Sequence, residues 1–86
     1  MNFGTKPEPN AVVATVFYQD KSGNDYIGYL IRPNIKELTQ VGLNLKDKMA
    51  KRGYNVTHHI VDEVYVKEIK HTHFDEWIQS MIENQA

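Results

Sequence analysis

Two strand-like segments on either side of a short polar cluster constrain the fold more than any other feature of this sequence. Residues 11–18 and 26–31 are rich in β-branched and aromatic side chains, which is typical of strands. The residues between them, 20–25, include Gly23 and Asn24, which tolerate the positive φ angles that tight turns require. This pattern predicts an antiparallel hairpin.

The register of the hairpin depends on where its loop begins. With a loop at residues 21–24, Tyr18 faces Ile27 and one face of the hairpin is strongly apolar. The other members of that predicted apolar face are Ala14, Val16, Tyr29 and Ile31. Because a shift of one residue moves every side chain to the opposite face, other cross-strand pairs stay open.

A helix is predicted to follow the hairpin. Asn34 is a favourable N-cap residue, and Gly53 is a favourable stop. Apolar positions recur at steps of three and four, as one stripe of a helix requires: Ile35, Leu38, Gly42, Leu45 and Met49. Because Gly42 weakens the middle of this segment, two arrangements are open. We expect one helix over residues 34–52; the alternative is a division in which Asn44 caps a second piece.

The rest of the chain predicts one more strand and one more helix. Residues 56–69 have strand composition but exceed the usual five or six residues. We expect one long strand with a bulge there; the alternative is two strands that meet near Asp62. Thr72 is a cap residue for the last helix, with Asp75 at its third position. That helix has the clearest apolar stripe of the chain: Phe74, Trp77, Ile78, Met81 and Ile82.

The element order is therefore β-β-α-β-α, and the predicted fold class is α+β. The simplest packing is a three- to four-stranded, mostly antiparallel sheet with two helices packed on one face. Residues 1–10, with Pro7 and Pro9, are expected to form a flexible N-terminal leader. Residues 11–86 then form a single small domain, because a chain of 86 residues supports one core and not two.

The composition excludes several kinds of site. The chain has no cysteine, which excludes disulfides, thiolate zinc sites and a cysteine nucleophile and favours a cytoplasmic location. It shows no signal-peptide pattern and no apolar run of membrane-spanning length, so we expect no membrane partner. The net charge of −1 does not favour a nucleic-acid partner.

Groups suited to catalysis are few. Neither Ser22 nor Ser80 lies in a nucleophile-elbow pattern or next to a base. Adjacent carboxylates at 62–63 point to opposite faces of a strand, and those at 75–76 suit a helix cap. We therefore expect no enzymatic activity, no cofactor and little room for a ligand pocket of about 300 Å³ or more.

Four histidines make a weak case for a metal site. They occur as two pairs, at 58–59 and at 71 and 73. If strand pairing brought His59 near His71, these imidazoles together with His73 and Asp75 would be able to hold zinc in a tetrahedral site. The sequence favours the alternative, in which the histidines are solvated. Since histidine titrates close to neutral pH, a metal or pH sensor is one alternative function.

A second candidate site is the basic segment between the second and third strands. Residues 32–52 hold six basic and two acidic side chains, a net charge of +4. Four of the basic residues would contact a nucleic acid or an acidic partner: Lys36, Lys48, Lys51 and Arg52. The alternative is a solvated helix face whose C-terminal cations suit the helix dipole.

With little chemistry available, the sequence favours a function carried by surface contact. A small sheet covered on one side leaves a face and an edge free, and the first strand has few charges to oppose pairing at an edge. We expect a small, non-enzymatic intracellular interaction module that forms a homodimer or binds another protein. Adaptors, regulators and inhibitors encoded by phages or mobile elements are of this kind. A nucleic-acid-binding regulator and a histidine metal or pH sensor are the alternatives.

Overall fold

The computed structural model describes residues 8–83, with side chains to residue 80, and this part of the chain forms an α+β fold. The elements are β1 (Ala11–Gln19), β2 (Asp25–Arg32), α1 (Ile35–Gly42), α2 (Leu45–Lys51), β3 (Asn55–Val64) and α3 (His73–Glu83). The predicted class and antiparallel sheet are confirmed, and so is the element order apart from the division of the first predicted helix into two. Most of the predicted leader, residues 1–7, lies outside the described residues, as do the side chains of Met81 and Ile82.

The sheet has the strand order β2-β1-β3, and both outer strands are antiparallel to β1. The hairpin places β2 on one side of β1, and the long connection through α1 and α2 brings β3 to the other side. The first strand is therefore central, and the expectation that it offers an edge for pairing is wrong. The edges of the described sheet are β2 and β3.

The register of the hairpin differs by one residue from the predicted one. Tyr18 pairs with Tyr26 and not with Ile27. Leu30 consequently takes the core side of β2, where it is buried. Three members of the predicted apolar face lie on the side of the sheet opposite the core: Ile27, Tyr29 and Ile31.

Asp20 explains this register. Its Oδ1 atom accepts hydrogen bonds from the backbone N–H groups of Ser22 at 2.9 Å and Asn24 at 3.0 Å. Gly23 takes a φ of 84°, which closes the turn. Asp20 is therefore part of the turn, and the loop covers residues 20–24. The pKa of the Asp20 carboxyl is held below its ordinary value, first by a hydrogen bond from the Asn24 side-chain amide and then by the one from the Asn24 backbone N–H.

The segment predicted to be one helix is divided into α1 and α2. Asn34 caps α1 as predicted, since its side chain accepts a hydrogen bond from the Glu37 N–H at 2.9 Å. The division lies at Leu43, which is extended, and Asn44, which takes a left-handed φ of 62°. Asparagine tolerates this conformation better than most residues. Together with Gly42, a weak helix former, it separates the two helices.

β3 is one strand with a bulge, as predicted, but it is shorter than expected. It ends at Val64 and not at Ile69, because its partner β1 begins at the corresponding position. The register shift lies between Phe17 and Tyr18 of β1 and leaves Thr57 of β3 as the extra residue. The Thr57 hydroxyl donates a hydrogen bond to the Phe17 carbonyl at 3.1 Å, which holds the bulge in place.

All three helices pack on one face of the sheet and enclose the core. Its buried members are Val12, Ala14, Val16, Leu30, Leu38, Leu45, Met49, Phe74 and Ile78. Met49 of α2 and Ile78 of α3 are fully buried. At the hairpin end the core continues as a cluster of aromatic rings: Tyr18, Tyr26, Tyr54, Phe74 and Trp77. Gly28 leaves the space on β2 that the Phe74 ring occupies.

Candidate functional site

Asp75 is the one charged residue that is buried in the described part of the chain. It is fully buried and pairs with both terminal nitrogens of Arg32, with Nη2 lying 3.0 Å from Oδ1. Thr72 caps α3, as predicted, by accepting the Asp75 N–H at 3.1 Å. The same hydroxyl donates to the Tyr29 carbonyl of β2 at 2.5 Å. The ion pair and the cap therefore fasten the start of α3 to β2.

The ion pair shifts the pKa values of both partners. Burial alone raises the pKa of the Asp75 carboxyl, but the hydrogen bonds and charge of Arg32 oppose it. With smaller contributions from His71 and Gln79, they leave that pKa below its ordinary value. The hydrogen bond to Asp75 raises the pKa of Arg32. Both groups stay charged at neutral pH and satisfy each other, so we interpret the pair as a structural link.

The structure does not bring the four candidate metal ligands together. His59 lies on β3, whereas His71 and His73 flank the cap of α3, which packs on β2. Asp75 is engaged in the ion pair, and the Nδ1 atom of His73 lies 3.8 Å from Glu76 at the surface. Across residues 8–83, no group of three or more His, Asp or Glu side chains is placed to hold a metal ion.

The basic segment is distributed over two helices. Lys36 lies on α1, Lys48 and Lys51 lie on α2, and Arg52 is the C-cap of α2. In the described part of the chain, no carboxylate comes within 4.0 Å of these four side chains. Arg32, which the sequence groups with them, is instead paired with α3. We call the four candidate residues, Lys36, Lys48, Lys51 and Arg52, the basic surface.

The sheet face opposite the helices, called the open face below, presents apolar side chains in three rows across the strands. The middle row joins Tyr29, Thr15 and Ile60, which are paired across the sheet. Ile27, Phe17 and His58 form the row at the hairpin end, and Ile31, Val13 and Asp62 form the row at the other end. All of these side chains point the same way because alternate residues of a strand share a face.

The centre of the open face is apolar and accessible. Ile27 is 54% exposed, and Tyr29 and Ile60 are each 48% exposed. The Phe17 ring stacks on the His58 imidazole with centroids 4.2 Å apart, so one edge of the face is also flat. Contiguous exposed apolar surface of this kind marks interaction sites in folded proteins. A free sheet face was expected, but the predicted register placed Ile27 and Tyr29 on the face of Ala14 and Val16, which lies against the core. The signal that would have placed them on the open face is the turn-forming Asp20.

A second apolar feature is a groove between the helices and β3, with a volume of about 420 Å³. Its floor is formed by buried side chains of β1 and β2, and its rim includes the exposed Ile35, Leu43 and Val61. The groove lies at the division of the helices: α1 packs on β1 and β2, and α2 packs on β3. The division was the alternative to one continuous helix, and the groove that it opens is larger than the expectation of little room for a pocket allowed.

Comparison of the chain with protein-family models, curated proteins and solved structures finds no match. None of the helices in the described range is long and apolar enough to cross a membrane. A functional assignment therefore depends on the surfaces described above. The open face and the groove lie on opposite sides of the sheet, and the basic surface lies on the helices.

Proposed function

We propose that the protein is a non-enzymatic interaction module and that its open face binds a second copy of the chain. The observation that carries this proposal is the middle row, in which Tyr29 and Ile60 are both about half exposed on either side of Thr15. Covering such side chains gains about 25 cal/mol for each Å² of apolar area removed from water. The open face of a second copy is able to cover them, because two sheets commonly pack face to face.

The arrangement of polar and apolar side chains on the open face favours a second copy as the occupant. A two-fold axis along the middle row keeps each strand opposite its own copy and exchanges the two outer rows. His58 of one copy then lies opposite Asp62 of the other, and this contact occurs twice. The same operation places Ile27 opposite Ile31 and leaves Ile60 opposite itself. This arrangement is isologous and closed, as stable homodimers require.

The dimer is tested by Ile60→Glu. Because Ile60 lies on the proposed axis, the substitution brings two carboxylates together at the centre of the interface. We expect the dimer to weaken by about 30-fold or more, since central interface positions cost about 2 kcal/mol or more when disrupted. Sedimentation velocity measures this as a change from twice the chain mass of 10.0 kDa to the single mass.

The matched control for this experiment is Leu43→Glu. Leu43 is also an exposed apolar residue, but it lies between α1 and α2 on the other side of the sheet. We expect that variant to remain dimeric. A wild-type protein that sediments as a monomer at every concentration, or an Ile60→Glu variant that dimerises as well as the wild type, would contradict the proposal.

Nucleic-acid contact through the basic surface is a second candidate function. The observation that favours it is the absence of a carboxylate within 4.0 Å of its four cations in the described residues. Cations without partners are free to replace the counterions of a phosphate backbone, which makes such binding steeply salt-dependent. The net charge of −1 makes this the weaker of the two candidates.

The second candidate is tested by reversing the charge of Lys48, Lys51 and Arg52 together. If the basic surface binds nucleic acid, wild-type protein retards single-stranded or duplex DNA in a gel at low salt, and the triple Glu variant does not. Lys67→Glu, which changes an exposed cation beyond β3, is the control and keeps the retardation. This candidate is rejected if wild-type protein causes no retardation, or if the triple variant binds as strongly as the wild type.

A further inference from the structure

The groove between the helices and β3 has the construction of a small-molecule site. We propose that it binds an amphipathic carboxylate of the fatty-acid type, with the alkyl chain on the apolar floor and the carboxylate at Lys46 and His59. This ligand is independent of the proposed dimer, because the groove lies on the helix side of the sheet. The dimer proposal gives the groove and the side chains that line it no role, and the ligand proposal does.

The apolar part of the groove combines a buried floor with an exposed rim. Its floor consists of Ala14, Val16 and Leu30, which are buried members of the core. Leu43 and Val61 stand at the rim and are 62% and 43% exposed. The volume of about 420 Å³ falls in the range of about 300–1,000 Å³ that is usual for ligand pockets. An alkyl chain in this groove would cover the exposed rim and extend the core.

The charged part of the groove specifies an anion. Among the residues that the structure describes, Lys46 and His59 are the titratable residues that line it, and no Asp or Glu does. Within residues 8–83, no carboxylate lies within 4.0 Å of Lys46. Its ammonium group is therefore free to pair with a ligand carboxylate, and the imidazole of His59 adds a hydrogen-bonding group. A few polar groups in a mainly apolar lining are typical of small-molecule sites.

Two neighbouring residues of β3 separate this site from the dimer interface. The side chain of Val61 lines the groove, whereas that of Ile60 lies on the open face. Both are exposed to a similar extent, at 43% and 48%. Val61→Glu and Ile60→Glu are therefore a matched pair, and each is the control for the other. The dimer proposal and the ligand proposal can therefore be rejected independently of each other.

The experiment is a titration of the isotope-labelled full chain with decanoate, followed by NMR. We expect saturable shifts at Leu43 and Val61, and an affinity about 10-fold or more lower in Lys46→Glu because a charge-assisted contact is lost. Val61→Glu should also weaken binding, and Ile60→Glu should leave it unchanged. Decyltrimethylammonium, which carries the opposite charge on the same chain, should bind more weakly than decanoate.

Three results would overturn this proposal. The first is the absence of saturable binding below the concentration at which decanoate forms micelles. The second is a set of shifts confined to the open face. The third is an unchanged affinity in Lys46→Glu, a surface substitution that leaves the core intact, so this result does not depend on whether Val61→Glu folds.

Discussion

Replacing Asp75 with asparagine is expected to lower the free energy of unfolding by about 3–5 kcal/mol, the usual effect of removing one partner of a buried ion pair. The substitution keeps the size of the side chain but leaves the guanidinium of Arg32 without its counter-charge, and Arg32 is only 12% exposed. The loss also weakens the attachment of α3 to β2. Urea denaturation followed by circular dichroism measures it.

Glu76→Gln is the matched control for this prediction. Glu76 is the adjacent carboxylate on α3, but its side chain is 67% exposed. Its replacement should change the stability by less than about 0.5 kcal/mol, as is usual for surface positions. Equal stabilities of the two variants would show that the ion pair does not hold α3 on the sheet.

The same pair predicts the acid sensitivity of the fold. Because the pKa of Asp75 in the folded protein lies below its ordinary value of 3.8, its stabilising contribution is complete above the unfolded-state pKa. That contribution is lost as the pH falls through the folded-state pKa. Wild-type protein should therefore lose stability progressively below about pH 4, and Asp75→Asn should show a flatter acid limb. Glu76→Gln should retain the slope of the wild type.

Replacing Gly28 with alanine is expected to destabilise the fold by about 2–3 kcal/mol, because it overpacks the core. A Cβ atom at this position would overlap carbon atoms of the Phe74 ring. The ring is buried and packs between Tyr18 and Trp77, so it cannot move without displacing α3. Since Trp77 is the single tryptophan of the chain, its fluorescence and near-ultraviolet circular dichroism report the displacement.

Gly42→Ala is the matched substitution with the opposite expected sign. No atom beyond the adjacent residues and the backbone of its own helix lies within 4 Å of a Cβ atom at Gly42, and the residue ends α1 without a positive φ. Alanine should therefore stabilise the fold by about 0.5–1 kcal/mol through helix propensity. If Gly28→Ala matched the wild type in stability and in tryptophan signal, the packing of Phe74 on β2 would be wrong.

The secondary structure could be predicted because each element carries a local signal. Asn34 and Thr72 cap helices at the expected positions, and β-branched residues mark all three strands. The order of the strands carries no local signal, so the central place of β1 was not foreseen. The predicted register was wrong for a related reason. The Asp20 carboxylate accepts hydrogen bonds from backbone N–H groups of the turn, which makes Asp20 a loop residue and changes which residues lie on the open face.

The candidate sites were harder to predict because they depend on long-range packing. Arg32 and Asp75 are 43 positions apart. In the sequence, Arg32 is simply the end of a strand and Asp75 is simply part of a helix start, so neither residue indicates that the two form a pair. The groove depends on how α1 and α2 separate at Asn44, which the continuous apolar stripe of that segment conceals. The spacing of the histidines suggested a metal site, but spacing along the sequence does not show whether residues of different elements lie close together.

The bulge in β3 determines which face of the sheet each residue of the strand lies on. In an unbroken ladder Val56 would share a side with Ile60, because the two are separated by an even number of positions. The additional residue, Thr57, offsets the alternation by one, so Val56 turns inward beside Tyr18 while Ile60 stays outward. The beginning of the strand can therefore complete the hydrophobic interior, and the remainder stays free to present different chemistry on its two sides.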